Sequence, residues 1–409
     1  MISKLLRVVR LGLPEDEIFR RLAAATLLSS FGQGLFLACS AIFYVRIVGL
    51  TAAEVGAGLA AGTLFGMLGS IPIARLSDRR DPRSIILALA LGESVLLVSL
   101  LAVRSMVGFA AVVCMLLLAT RSNSAVRNAL IARAVAPERR VHLKAYQRVV
   151  YNVSFSAGTA VAAIPLALGT RPAFAAALLG SGVAAASAGV VTRKLPGAQL
   201  CGPPVERGQS AIRNFQYLRV AILCGLLSAR MSILTVAVPL WVTGHTALAP
   251  WTASALIFLN TILAIALQVP ASRGADDVPG SRRMVRLGAV VMLPACLLFA
   301  LVGRVGTVAA LLAALAAIVL FTLGEIWTSA GAWGLSFGLA DPSAPGDYQA
   351  VFALGVGVGA VVGPVLATKV AVDMGILGWG LVGLFFVVAG VWAHRAVPSV
   401  RVPEVSTAP

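Results

Sequence analysis

The sequence predicts an all-α membrane protein, with twelve transmembrane helices arranged as two six-helix halves. Three observations carry that prediction: an apolar excess, long apolar runs at regular intervals, and a charged island that returns after half the chain. Hydrophobic residues make up 59% of the 409 positions and charged residues 12%, with a mean hydropathy of +0.93. Soluble domains carry about 45–50% apolar and about 25% charged residues, so this composition leaves too little polar surface to face water. A helix needs about 20 apolar residues to span a bilayer, and such runs recur along the chain.

Apolar runs bounded by turn or charge signals predict spans at 22–45, 52–74, 84–103, 106–130, 147–168 and 173–192. A second set follows at 218–242, 251–271, 285–303, 307–333, 349–370 and 376–394. Residues 193–217, with Pro196, Pro203, Pro204 and scattered Arg, form a linker between an N-terminal half, 1–192, and a C-terminal half, 218–409. Residues 1–10 are basic but lack a small-residue cleavage site, so they read as a cytoplasmic tail rather than a signal peptide.

A net charge of +17 invites a nucleic-acid reading, but the placement of the charges excludes it. Of the 33 Lys and Arg, 25 fall on the side of the N-terminus, while the opposite loops hold only Arg46, Arg104, Arg171, Arg304 and Lys369. That asymmetry orients a membrane protein, with both termini cytoplasmic. Arg is much commoner than Lys and Ala is abundant, which suggests a GC-rich bacterial coding sequence and a bacterial inner membrane. Cys39, Cys114, Cys224 and Cys296 lie in apolar runs and Cys201 in the linker, without metal-ligand spacing, so free thiols and no metal or cofactor are expected. No membrane-edge cluster of acid, His or Cys points to an enzyme, and no loop reaches thirty residues, too short for a sensor domain.

The island is Arg75-Leu76-Ser77-Asp78-Arg79-Arg80-Asp81-Pro82-Arg83, and its echo, Arg273-Gly274-Ala275-Asp276-Asp277-Val278-Pro279, begins 198 residues later. Two six-span halves with such an island between spans two and three resemble the major facilitator superfamily. That family's signature there is Gly-x-Leu-x-Asp-Arg-x-Gly-Arg-Arg; Leu76, Asp78 and Arg79 match in register, while Ala74 and Asp81 replace its glycines. In span four, Arg121-Ser122-Asn123-Ser124-Ala125 is similar to the Arg-x-x-x-Gly pattern of the family's drug/proton antiporters, with Ala125 in the Gly place. The antiporters' span-five Gly-Pro motif is absent around Gly158; a similar pattern stands in span eleven, ending Gly363-Pro364. The resemblance implies a secondary transporter, not an enzyme, that works by alternating access as a monomer on a small-molecule substrate. Pro- and Gly-interrupted helices agree with it, because broken helices are tolerated where they line a cavity.

Ionisable groups inside a bilayer cost at least about 2.5–3.5 kcal/mol each, so each requires a reason. The spans hold Glu93, Arg121, Arg127, Arg230 and Glu325. The resemblance implies that spans one, four, seven and ten line a central cavity, which places all but Glu93 on cavity helices. Glu325 is the expected proton carrier, with Arg121 as its electrostatic partner. Glu325, Ser329 and Trp333 share one helical face, and an acid, a hydroxyl and an indole there suit an amphiphilic ligand. The alternatives are an ion pair from Glu325 to Arg230 or Arg121 that only joins helices, and an interfacial anchor for Trp333. Gln33, Arg230 and Asn260 complete the expected substrate cavity. Arg127 lies near the cytoplasmic end of span four and is expected to snorkel, and Glu93 to pack protonated. The three His (142, 245, 394) are expected in or beside loops.

Asp78 has a separate expectation. An acid at the end of span two can accept hydrogen bonds from amides at a neighbouring helix N-terminus, while Arg75 or Arg79 forms an ion pair, making a gating latch. A purely topogenic basic loop accounts for Arg80 and Arg83 but gives no reason for Asp78. The combined expectation is proton-coupled export of a lipophilic or amphiphilic molecule, with uptake or uniport of a polar solute as the alternative.

Overall fold

The computed structural model describes residues 17–44, 49–196 and 210–397. The basic tail before residue 17, Arg46, most of the linker including Cys201, and the chain after residue 397 lie outside the described residues. Among the described residues, twelve helices are long and apolar enough to cross a membrane, and no strand occurs. They are α1 (Glu17–Ser40), α2 (Glu54–Leu76), α3 (Pro82–Ala102), α4 (Met106–Ala134), α5 (Pro137–Leu168) and α6 (Arg171–Arg193). Then follow α7 (Phe215–His245), α8 (Trp251–Ala271), α9 (Val278–Val302), α10 (Thr307–Gly338), α11 (Pro345–Val372) and α12 (Gly375–Ala396).

Several helices begin or end beyond the apolar runs. The fifth starts at Pro137 rather than 147, the ninth at Val278 rather than 285, and the tenth continues to Gly338. Hydropathy registers only the stretch that lipid can cover, whereas a first-turn Pro starts α5, and a polar cap with Pro starts α9, in polar sequence. Asp81 caps α3 by accepting the Arg83 amide at 3.0 Å, and Asp277 caps α9 by accepting the Gly280 amide at 2.7 Å. Each of these helices has a Pro in its first turn, where no amide is needed. Both islands therefore start the third span of a half. The earlier start of α5 takes in His142, whereas His245 and His394 stand in the last turns of α7 and α12, beside loops as expected.

The chain divides into two compact units, Met1–Ser210 with Ala340–Ala353, and Ala211–Leu339 with Leu354–Pro409. Residues 340–353 thus join the first unit although they follow α10 in sequence. In the first unit α1 packs on α5 and α6, α2 on α4, and α3 on α4 and α6. In the second unit α9 packs on α10 and α12, α8 on α10, and α12 on α7.

Glycine sets the closest approaches. A Cβ on Gly158 of α5 would run into the Phe31 carbonyl of α1, and one on Gly34 of α1 into the Phe155 carbonyl of α5. The second unit repeats this on its own first and fifth spans: a Cβ on Gly225 of α7 would run into the Gly355 carbonyl of α11. Backbones touch at these points because no side chain separates them, which is how helices associate in lipid.

Two helices are irregular. Helix α7 breaks near Ser228, resumes at Arg230 and passes through a π segment, Ile233–Ala237. Helix α11 ends in another, Leu366–Val372, just after Pro364. Prolines and π segments free backbone carbonyls, and such breaks mark functional positions more often than regular helix does.

Candidate functional site

The island after α2 is held in the first unit by a network around two aspartates. Asp78 accepts the Gly346 amide at 2.7 Å and the Asp347 amide at 3.1 Å, both in the first turn of α11. These amides are among the donors a helix start leaves without partners, and the local dipole favours an anion there. Arg133, at the end of α4, donates to Asp78 at 3.0 Å and to the Ser77 carbonyl at 2.8 Å. Arg75 donates to the Asp347 carboxylate at 2.8 Å and to Ser210 at 3.0 Å, and Ser210 donates to the other Asp347 oxygen at 3.0 Å.

Of the expected pairing residues, Arg75 is engaged and Arg79 is exposed. Burial pushes the Asp78 carboxyl above the ordinary aspartate range, against the downward pull of the two amides and Arg133. At Asp81 burial also pushes upward, but the hydrogen bonds from Arg83 and the charges of Arg83 and Arg193 outweigh it and hold the group low.

The second island differs. Asp276, which matches Asp78 in the repeat, is exposed, and Asp277 serves as a helix cap.

In the second unit, Glu325 of α10 is 6% exposed. Asn260 of α8 donates to its carboxylate at 3.2 Å and to the Thr322 hydroxyl, one turn earlier, at 2.9 Å. Arg230 donates to the Ser329 hydroxyl at 2.7 Å and to the Leu227 carbonyl, freed by the break in α7, at 2.9 Å. Asn260, Glu325, Arg230 and Ser329 thus stand on three helices of one unit, and Trp333 is half-buried on α10. Gln33 and Arg121 lie in the first unit and are both exposed.

Arg127 departs from expectation. It does not extend to the C-terminal end of α4 but donates to Ser29 of α1 at 3.2 Å and to Asn123, one turn back, at 3.4 Å. Its Nε is buried without a hydrogen-bond partner. Glu93 of α3 meets the Thr120 hydroxyl of α4 at 3.3 Å. Arg133, Ser210, Gly346, Asp347 and Thr322 were not singled out from sequence. The start Pro345-Gly346-Asp347, a Pro followed by an acid in the first turn, is the signal that marks the α11 terminus.

Twelve bilayer-length helices in two units, with acids and arginines held on polar partners inside them, define a polytopic membrane transporter. The chain belongs to the Major Facilitator Superfamily, whose sequence model matches residues 22–364. No curated protein matches it. Among solved structures it is similar to the human organic anion transporter MFSD10 (TETRAN), at 15% identity, covering 93% of this chain and 99% of that one with a TM-score of 0.71. It is similar to a bacterial homologue of the iron transporter ferroportin in an outward-facing state, at 14% identity, 93% and 98% coverage, and a TM-score of 0.69. The proton:xylose symporter XylE matches at 11% identity, 93% and 95% coverage, and a TM-score of 0.69. At these identities the likeness shows the shared fold.

Proposed function

We propose that this transporter exports a lipophilic or amphiphilic small molecule in exchange for protons, as a monomer in a bacterial inner membrane with both termini cytoplasmic. The observation that carries the reading is the buried carboxyl of Glu325, held by Asn260, with Arg230 anchored one turn away on Ser329. An acid buried at membrane depth with a polar partner marks a proton or substrate path, which suits a coupling residue. A proton entering from outside neutralises Glu325, and its release inside restores an anion that holds substrate. On the first unit Arg121 serves proton coupling and Gln33 substrate binding; on the second, Arg230, Ser329, Trp333 and Asn260 bind substrate. Asp78, Arg75 and Arg79 form the latch, which closes in one access state and opens in the other; the amides on Asp78 support this role.

E325Q in proteoliposomes, assayed with a panel of dyes under an imposed pH gradient, tests the assignment. The variant should lose gradient-driven transport and keep energy-independent exchange. Full gradient-driven transport by E325Q overturns it. Reversing the gradient separates export from the alternative, uptake of a polar solute.

A further inference from the structure

A second acid, Glu93, sits inside the first unit with no role in the cycle above. The Thr120 hydroxyl has one hydrogen. It lies 2.9 Å from the Leu116 carbonyl of its own helix and 3.3 Å from a Glu93 oxygen. The shorter contact is the usual back-bond of a helical threonine and takes that hydrogen. The same hydroxyl faces the Glu93 oxygen as a second, longer donor contact, so Thr120 holds the Glu93 carboxyl only weakly.

The neighbouring cation is consistent with this. Arg127 is close enough to act on Glu93 electrostatically, yet it is hydrogen-bonded to the neutral groups Ser29 and Asn123. Its buried Nε has no partner, so one face of the guanidinium remains available to a carboxylate. Few other charges face Glu93. Helix α6, packed against α3, has no ionisable residue between Arg171 and Arg193. Helix α4 contributes Arg121, which is exposed, Arg127, and Arg133, which is committed to Asp78. On α3 itself, the nearest ionisable residue before Glu93 is Arg83, tied to Asp81.

We propose that Glu93 is a proton-binding site of the first unit, with Arg127 as the positioning residue that takes the proton's place when it leaves. With the proton bound, Glu93 is a neutral acid beside the Thr120 hydroxyl. On deprotonation the carboxylate pairs with the open side of Arg127, which gives the unit two discrete states set by one proton. The proposal does not rest on the reading of Glu325.

Infrared difference spectroscopy of the full-length protein in liposomes, titrated with acid and base, tests it with the proton itself as ligand. The carboxylic-acid C=O band at neutral pH should be lost in E93Q and kept in E325Q. In R127Q the alkaline loss of that band should move up by about 1–3 pH units, the usual effect of removing an adjacent opposite charge, whereas R127K should leave it in place. T120V tests the geometry without touching a charge: its band should shift in frequency because the hydroxyl contact is gone. An E93Q spectrum identical to the parent, an R127Q midpoint that does not move, or an unshifted T120V band each overturns the proposal. Should E93Q not yield monodisperse protein, the T120V and R127K arms decide.

Discussion

At the scale of single residues, Asp78 and Gly346 make the sharpest pair. A Cβ on Gly346 would run into the Ala74 carbonyl and lie 2.7 Å from Ser77 Oγ and 2.8 Å from Asp78 Oδ1. Glycine here permits the approach that brings the α11 amides onto the carboxylate. D78A removes hydrogen bonds to a charged acceptor, each worth about 1.5–3 kcal/mol, and leaves two amides and Arg133 without it. G346A forces the same contacts apart. Each variant should lower the melting temperature in detergent and slow transport, and the double variant should cost little more than either alone. Additive losses would mean that the two residues act separately. The pH dependence has a definite sign. Burial makes the latched Asp78 hold its proton more tightly than a free aspartate does. Its contribution is therefore complete below about pH 3.9, the ordinary aspartate value, and fades as pH rises through the elevated one. The stability of the parent relative to D78N should fall across that window and level off above it, as read by thermal melts. A difference that grows with pH would show that pairing, not burial, governs the group.

Between helices, backbone contact decides what side chains cannot. At Gly355 a Cβ would lie 2.5 Å from the Ala221 carbonyl carbon of α7 and press on its oxygen, so α7 and α11 meet without side chains between them. G355L should force the helices apart at a cost of about 1–3 kcal/mol, the usual range for overpacking, and lower the yield of monodisperse protein. Gly56 of α2 is the control, because nothing stands within 4 Å of its would-be Cβ. G56A should be neutral or stabilising by about 0.5–1 kcal/mol. Unchanged melting of G355L would refute the contact.

The elements differ in how far they could be read in advance. Spans are legible because a bilayer accepts only long apolar helices, but their ends are set by caps such as Asp277, which hydropathy does not weigh. Asp78 stood out because charge placement alone gave it no reason. Its partners did not, since Asp347 is 269 residues away in sequence and Ser210 lies in a linker without pattern. Arg127 misled because depth was counted along the helix alone. Helical side chains lean toward the N-terminus of their helix, so from α4 the guanidinium reaches back to Asn123 and away from the C-terminal end.

For the whole molecule, orientation rests on where the positive charges stand once the helices are fixed. The α2–α3 and α8–α9 connections carry the two basic islands, whereas the α3–α4 and α9–α10 connections carry Arg104 and Arg304. Twelve crossings put the islands on one side and these two single arginines on the other. Transferring several cations across the membrane opposes the potential by about 2.3 kcal/mol per charge per 100 mV, so the islands are predicted to stay on the side where the chain is made. Single cysteines in a background lacking the five native ones test this. A membrane-impermeant maleimide should label R104C and R304C in intact cells, and R80C and R283C only after permeabilisation. The reverse pattern would invert the protein, and with it the direction assigned to proton flow through Glu325. Labelling of all four in intact cells would mean that the 25 cations on one side do not fix a single topology. The islands would then retain only their local duties, the caps of α3 and α9 and the acceptor at Asp78, which are built from aspartates and persist whichever way the chain inserts.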